Sequence, residues 1–363
     1  MVDMKIIDIA LNRISIPFRV AWHTPAGLLE NRDSVIVEIE ADSGVVGYSE
    51  IAPLSGFSKE TLAEATEQVG DILNRIQSNS IPDSLADSKS YLSDILKQHT
   101  TAPSARFAVE TAIGDVVSQH NSVPLSAWIG STSHKEIPVN AVIPSGMTDI
   151  ESAVKAAIDD GYKTIKLKVS AETVQDDINR IKQIRKLLTG DCRIRLDANR
   201  SFTPEEATRF ADSIGSEKIE YIEEPFDLGD TDHLEQFASH SDIRIAADEG
   251  LMNSELRKRL IESDSVDVII LKPTLLGSLT ECTDIASVAI DRCKTIVVTS
   301  CLESGIGVAA CAHLASAVTD GRTACGLDTI RYLSKSVVEP ELKIEHGNMQ
   351  IPRIGLGVKS VLQ

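Results

Sequence analysis

Five charged residues recur at near-constant intervals in the second half of the chain, each where a short apolar run ends. They are Lys168, Asp197, Glu223, Asp248 and Lys272, separated by 29, 26, 25 and 24 residues. One βα unit of a parallel barrel of about 200 to 250 residues has this length. Three carboxylates with no His or Cys beside them form a hard oxygen set, suited to Mg²⁺ or Mn²⁺. Lysines at both ends of the series supply a base and a second positive charge. Such a combination serves one kind of step: a cation holds a substrate carboxylate while a lysine removes the proton from the neighbouring carbon. Because that proton is weakly acidic, most of the barrier reduction must come from positive charge already aimed at the anion that forms.

The elements that position these groups follow from the apolar runs at 164–169, 193–197, 219–223, 243–248 and 268–272. Side chains alternate along a strand, so Lys166 shares a face with Lys168, Arg195 with Asp197, Tyr221 with Glu223 and Ala246 with Asp248. In a closed barrel the shared face is the interior, and the last residue of each run lies at the C-terminal mouth. Strand one is expected over Pro138–Ile143, with helices near 149–160, 172–188, 203–214, 251–263, 278–291 and 307–318. Alternating strands and helices of this kind predict a parallel α/β barrel.

Before the barrel the pattern differs. Runs at 5–17, 35–41 and 45–51 read as strands, the last two joined by Asp42-Ser43-Gly44 as a hairpin. Leu62, Ala65, Val69, Ile72, Leu73 and Ile76 then trace a helical face, with Ser58 as the expected N-cap, and further helices are expected at 83–97 and 103–119. The predicted organisation is an α+β capping domain at 1–133, the barrel at 134–334, and a tail at 335–363 that returns to the cap.

A net charge of −18 over 363 residues disfavours nucleic acid, since no cluster of Lys and Arg could track phosphates. The first twenty residues interleave charges with apolar positions, unlike a secretory signal, and no run is long enough to span a membrane. Six cysteines without C-x-x-C spacing point to reduced, buried thiols. These features together predict a cytoplasmic protein that acts on a small anionic carboxylate; the sequence carries no signal of oligomeric state. A charged residue at one strand end is usually a solvated rim or a structural ion pair, but five at successive βα spacings favour a site. Glu224 and Glu249 are expected to support the ligands, the histidines to lie outside the ring, and Cys301 to pack.

At these residues the chain resembles the enolase superfamily, within it the muconate-lactonizing subgroup and its o-succinylbenzoate synthase family. The likeness rests on Lys166-Leu-Lys168, Arg195-Leu-Asp-Ala-Asn-Arg200, Ile222-Glu-Glu-Pro225, Ala247-Asp-Glu249, Leu271-Lys-Pro-Thr-Leu-Leu-Gly-Ser278, Ser300-Cys-Leu-Glu-Ser-Gly305, Gly326-Leu-Asp-Thr329 and residues 47–58. A Lys or His base used with Mg²⁺ is that superfamily's known pattern. The resemblance implies an enolase-type modified TIM barrel in which Asp197, Glu223 and Asp248 bind Mg²⁺. It implies that Lys168 is the acid/base, that Lys272 stabilises an enediolate, that Lys166 assists, and that Asn199 and Ser300 contact substrate. The implied reaction dehydrates 2-succinyl-6-hydroxy-2,4-cyclohexadiene-1-carboxylate to o-succinylbenzoate, a step toward menaquinone or phylloquinone. Residues 19–32, with Gly27, resemble the capping loop that closes over the mouth. Two alternatives stand beside this: an N-succinylamino acid racemase or dipeptide epimerase using the same lysines, alone or as a second activity, and a non-catalytic metal-binding barrel. Gly326-Leu-Asp328 departs from dipeptide epimerases, which tend to carry two acids there.

Overall fold

The computed structural model describes residues 3–24, 26–99, 101–130, 133–143 and 149–362. Three antiparallel strands open the chain: β1 (Met4–Thr24), β2 (Gly27–Ala41) and β3 (Val46–Ile51), with β4 (Ser80–Ile81) on the far edge in the order β3-β2-β1-β4. The segment expected as a capping loop is the far end of the β1–β2 ribbon, where Trp22 pairs with Leu29 after a register shift beyond Pro17. Helices α1 (Leu62–Gln77), α2 (Leu85–Lys97), α3 (Pro103–His120) and α4 (Leu125–Ile129) complete the cap. The N-cap of α1 is Thr61, not Ser58: Thr61 and Glu64 form a reciprocal capping box, which satisfies two free N–H groups where Ser58 could satisfy one. Ser58 instead donates its hydroxyl to nothing in the helix and accepts from the Leu54 N–H at 2.9 Å.

The strand expected over 138–143 is split. β5 (Glu136–Pro138) leaves to pair with the tail, and only β6 (Ala141–Ile143) joins the barrel. Then come α5 (Ile150–Asp159), β7 (Thr164–Lys168), α6 (Val174–Leu187), β8 (Arg193–Asp197), α7 (Pro204–Ile214), β9 (Ile219–Glu223), α8 (Thr231–His240), β10 (Ile245–Ala247), α9 (Ser254–Glu262), β11 (Val268–Leu271), α10 (Pro273–Leu276), α11 (Leu279–Asp291), β12 (Thr295–Val298) and α12 (Gly305–Val318). Helix α8, which buries Leu234 and Phe237, was not among the expected helices. Strands β6 to β12 form one parallel sheet in chain order. Single parallel bridges, Val139 to Cys325 and Thr299 to Gly326, put residues 325–326 in the eighth position and close the ring. The α/β barrel with an α+β cap is therefore the fold.

Strands read as continuous apolar runs because helices cover one face and barrel interior the other; all four residues of β11 are buried. Helix α7 shows the matching one-sided pattern, Ala207, Phe210, Ala211 and Ile214 facing the sheet behind a Thr203–Glu206 capping box. Helix α12 is buried on nearly every side. Its N-terminus is capped from the other domain: buried Glu50 of β3 accepts from the N–H of Ser304 and Gly307, both at 3.0 Å, and from the Ser304 hydroxyl at 2.6 Å. A Cβ at Gly307 would stand 3.0 Å from that carboxylate and 2.5 Å from Glu303, so glycine admits the cap. Arg32 of β2, also buried, donates to the carbonyls of Leu302 at 3.0 Å and Pro53 at 2.9 Å. These two residues tie the ribbon to the loop after β12.

The tail comprises β13 (Val338–Glu339), β14 (Ile344–Glu345), β15 (Asn348–Gln350) and β16 (Ser360–Val361). β15 pairs with β5, and Leu356 then donates its N–H to Asp115 of α3 at 2.6 Å. Among the described residues no helix is long and apolar enough to cross a membrane.

Candidate active site

Backbone register brings the strand-end groups level. Lys168 pairs with Asp197 across β7–β8, and Asp197 with Glu223 across β8–β9. Beyond Asp197 the chain turns sharply: Asn199 (φ +41°) and Arg200 (φ +60°) adopt left-handed backbone, which a short polar residue tolerates best. The turn lets the Asn199 amide donate to Glu249 at 2.8 Å and Arg200 pair with Glu224 at 2.8 Å. Glu224 in turn accepts from the N–H of Asp248 at 2.9 Å and of Gly250 at 2.8 Å, fixing the end of β10. After β11, Pro273 holds Lys272 in an extended conformation (φ −116°, ψ 93°) that ends the strand at the mouth.

The carboxylates are neutralised by ammonium groups. Lys166 lies 2.8 Å from Asp197 and 2.7 Å from Glu223, while Lys272 pairs with Asp248. Burial would lower both lysines, but the facing carboxylates outweigh it and hold them above their ordinary range. Burial pushes Glu223 up to about 8, with the Asp197 charge adding to the effect, and pushes Asp248 up to about 6 against the pull of Lys272. Asp197 is also buried, yet Lys166 and Lys272 keep it below the usual carboxylate range. Among the described residues no three Asp, Glu, His or Cys side chains are drawn together as a ready metal cluster. Asp197 and Glu223 share the Lys166 ammonium, and Glu223 and Asp248 lie near enough to perturb one another, so the buried carboxylates sit around common counter-charges, as like charges this deep require. The donors fit a hard cation: among the described residues Glu223 Oε1 and Glu249 Oε2 are buried oxygens without a hydrogen-bond partner.

A cavity of about 170 Å³ opens over this ring. Lys166, Lys168, Lys272, Asp197, Asn199 and Ser300 all line it; Glu223 and Asp248, 0% and 2% exposed, lie below its wall. Ser300 shares a 2.7 Å hydrogen bond with Thr329. Trp22, Leu54, Phe57, Leu275 and Leu302 give it an apolar rim supplied by both cap and barrel. A larger cavity, about 590 Å³, lies between tail and barrel but contains none of the strand-end lysines or ligands. Cys301 is buried, and burial pushes its thiol up to about 12, in keeping with a packing role. His313 is a core residue of α12; the His23 side chain lies outside the described residues. The sequence expectation missed Asn140, which lines the cavity at the parity of Val142; one polar residue inside an apolar strand was its only signal.

This architecture and ring of groups define a class. Residues 149–360 match the family model described as Enolase C-terminal domain-like, and residues 8–116 match that of the MenC N-terminal domain. The chain belongs to the enolase superfamily. It is 30% identical to an L-Ala-D/L-Glu epimerase of Bacillus subtilis over 323 residues, covering 86% of this chain and 85% of that one. It is also 30% identical to an o-succinylbenzoate synthase of Pectobacterium atrosepticum over 337 residues, covering 92% and 93%. A dipeptide epimerase from Enterococcus faecalis, solved with Mg and the dipeptide L-Leu-L-Tyr, superposes with a TM-score of 0.86 at 25% identity, covering 99% of this chain and all of that one.

Proposed function

We propose that the protein is an o-succinylbenzoate synthase, dehydrating 2-succinyl-6-hydroxy-2,4-cyclohexadiene-1-carboxylate. The observation that carries this lies at the eighth strand. A dipeptide needs acids there for its ammonium group; this chain has Gly326, and Asp328 is already engaged by the Tyr162 hydroxyl at 2.6 Å and by Arg331 at 3.1 Å. A Cβ at position 326 would stand 2.8 Å from Thr299 Oγ1, so the space beside Gly326 is already filled on that side. A cavity rich in lysine with an apolar rim suits an anion without an ammonium group.

Lys168 and Lys272 end the second and sixth of eight strand positions, which are diametrically opposed around the ring. Lys168 takes the proton from the carbon bearing the carboxylate and returns it to the departing hydroxyl, so that one water leaves and the ring becomes aromatic. Lys272 stays protonated opposite and stabilises the carboxylate's developing negative charge. Asp197, Glu223 and Asp248 would hold Mg²⁺ or Mn²⁺, with Asn199 and Glu249 beside them. When bound, the cation supplies positive charge to the substrate carboxylate. The cap ribbon, through Trp22 and Thr24, closes the cavity from water.

The opposed lysines support a second reading, racemisation of an N-succinylamino acid, because each could serve one face of the substrate. Loss of absorbance from the cyclohexadiene on adding enzyme and Mg²⁺ tests the synthase. Incubation with an N-succinylamino acid in deuterated water tests the racemase: exchange at the α-carbon without any dehydration activity would replace the first reading with the second.

A further inference from the structure

We propose that Asn140 is a substrate-binding residue that donates to the acyl carbonyl oxygen of a succinyl arm. The inference rests on the reading that the cavity takes a succinyl-bearing carboxylate. Asn140 is 1% exposed, and its side chain cannot flip freely. Its Oδ1 faces Arg195 Nη1 at 3.3 Å, and a guanidinium only donates, so the amide oxygen must be the atom on that side. Arg195 is itself locked: it is fully buried, forms two bonds to Glu220 at 2.8 and 2.9 Å, and donates to the Ala324 carbonyl at 2.7 Å. The Asn140 NH₂ group is thereby held away from Arg195, and among the described residues it has no acceptor. A buried donor in this position calls for a partner.

Its place in the cavity says what kind. Asn140 lies on the first strand position and Gly326 on the eighth; their backbones are adjacent, Asn140 N–H donating to the Cys325 carbonyl at 2.9 Å. Both line the same cavity wall with Thr299 and Ser300. Binding an ammonium group calls for acceptors; beside the Thr299 and Ser300 hydroxyls, which can accept as well as donate, Asn140 has an NH₂ without a partner and its oxygen is committed to Arg195. An uncharged NH₂ accepts nothing and repels an ammonium, whereas it satisfies a carbonyl oxygen. Both a succinyl ketone and an N-succinyl amide present one.

Calorimetric titration in the presence of Mg²⁺ tests this with two probes: o-succinylbenzoate, and 2-(3-carboxypropyl)benzoate, in which the ketone is a methylene. The wild type should prefer the ketone by on the order of tenfold. Asn140→Ala should abolish that preference while binding the methylene compound as the wild type does. Asn140→Asp keeps the shape and the Arg195 contact; it should weaken the ketone probe by at least about tenfold and serves alone if the alanine variant does not fold. An unchanged preference in either folded variant, or equal weakening of both probes, overturns the inference. If o-succinylbenzoate does not bind the wild type but N-succinyl-L-phenylalanine does, the synthase reading fails. The Asn140 inference then stands on an affinity loss of about tenfold for that amide in Asn140→Ala, and falls if there is none. Binding of neither succinyl compound overturns both.

Discussion

Replacing Lys166 by Met keeps an unbranched side chain one atom shorter and removes its charge, which isolates what the ammonium does between Asp197 and Glu223. It stands 2.8 and 2.7 Å from them, and Glu223 is 0% exposed. Deleting one partner of a buried ion pair costs about 3 to 5 kcal/mol, because the remaining charge has neither water nor a counter-ion. That loss is expected in equilibrium urea denaturation with EDTA. Adding Mg²⁺ at a hundredfold its dissociation constant should return about 2.7 kcal/mol to the variant, since the cation restores the missing positive charge. Protonation of Glu223 offers a second route to neutrality. Burial already pushes this carboxyl up to about 8 with Lys166 pulling it down, so without Lys166 it rises further, and the variant goes on losing stability above that pH where the wild type no longer does. The deficit in EDTA should therefore widen as pH rises from 8 to 9. A variant as stable as the wild type in EDTA at pH 9, to within about 0.5 kcal/mol, would refute the role of Lys166 as counter-charge to a buried acid pair.

Three further outcomes are expected. Lys168→Ala and Lys272→Ala should each lower turnover by at least about a hundredfold with unchanged circular dichroism; activity above a tenth of the wild type in either would remove that lysine from the chemistry. Burial pushes Asp115 up to about 6 from 3.8, so its contribution to stability is complete below pH 3.8 and lost as pH rises through 6. Relative to the non-titrating Asp115→Asn variant, the wild type should lose about 3 kcal/mol between pH 4 and 7 in denaturant midpoints, and a flat difference would contradict the raised value. Arg32→Ala leaves the carbonyls of Leu302 and Pro53 without their buried donor, so thermal unfolding should show a loss of about 2 to 4 kcal/mol together with a raised KM. A loss of stability without any change in KM would separate Arg32 from the mouth.

The strand-end charges were legible because β-alternation and βα spacing are local properties. Lys166 and Lys168, two apart, had to share a face, and the interval to Asp197 had to hold one helix. What resisted was everything set by non-local pairing. Pro138 looked like the start of the first barrel strand, yet β5 belongs to the tail because Met349 and its neighbours supply a better partner than the barrel ring does. Asn140 escaped for a related reason: it has meaning only once Arg195, 55 positions later, is seen to fix its oxygen.

On the proposed function, the groups that would perform the chemistry and those that would choose the substrate occupy different arcs of one barrel. Positions two to six carry Lys168, Asp197, Glu223, Asp248 and Lys272, and any member that removes a proton beside a carboxylate can use them. Positions seven, eight and one carry Thr299, Gly326 and Asn140, which among the described residues make no hydrogen bond to Asp197, Glu223 or Asp248. In the proposed reading, Gly326 offers no acceptor and Asn140 offers a donor, so both would act in the same direction, against an ammonium and toward an acyl oxygen. A specificity built on buried hydrogen bonds discriminates strongly, because the wrong substrate leaves the donor unpaired. It follows that Gly326→Asp alone should not convert the protein into a dipeptide epimerase: the new side chain would meet Thr299 at 2.8 Å, and the Asn140 donor would still face the ammonium. Only with Thr299→Ala and Asn140→Asp added should proton exchange on a dipeptide in deuterated water emerge, and exchange by the single variant would show that the first-strand arc plays no part in the choice.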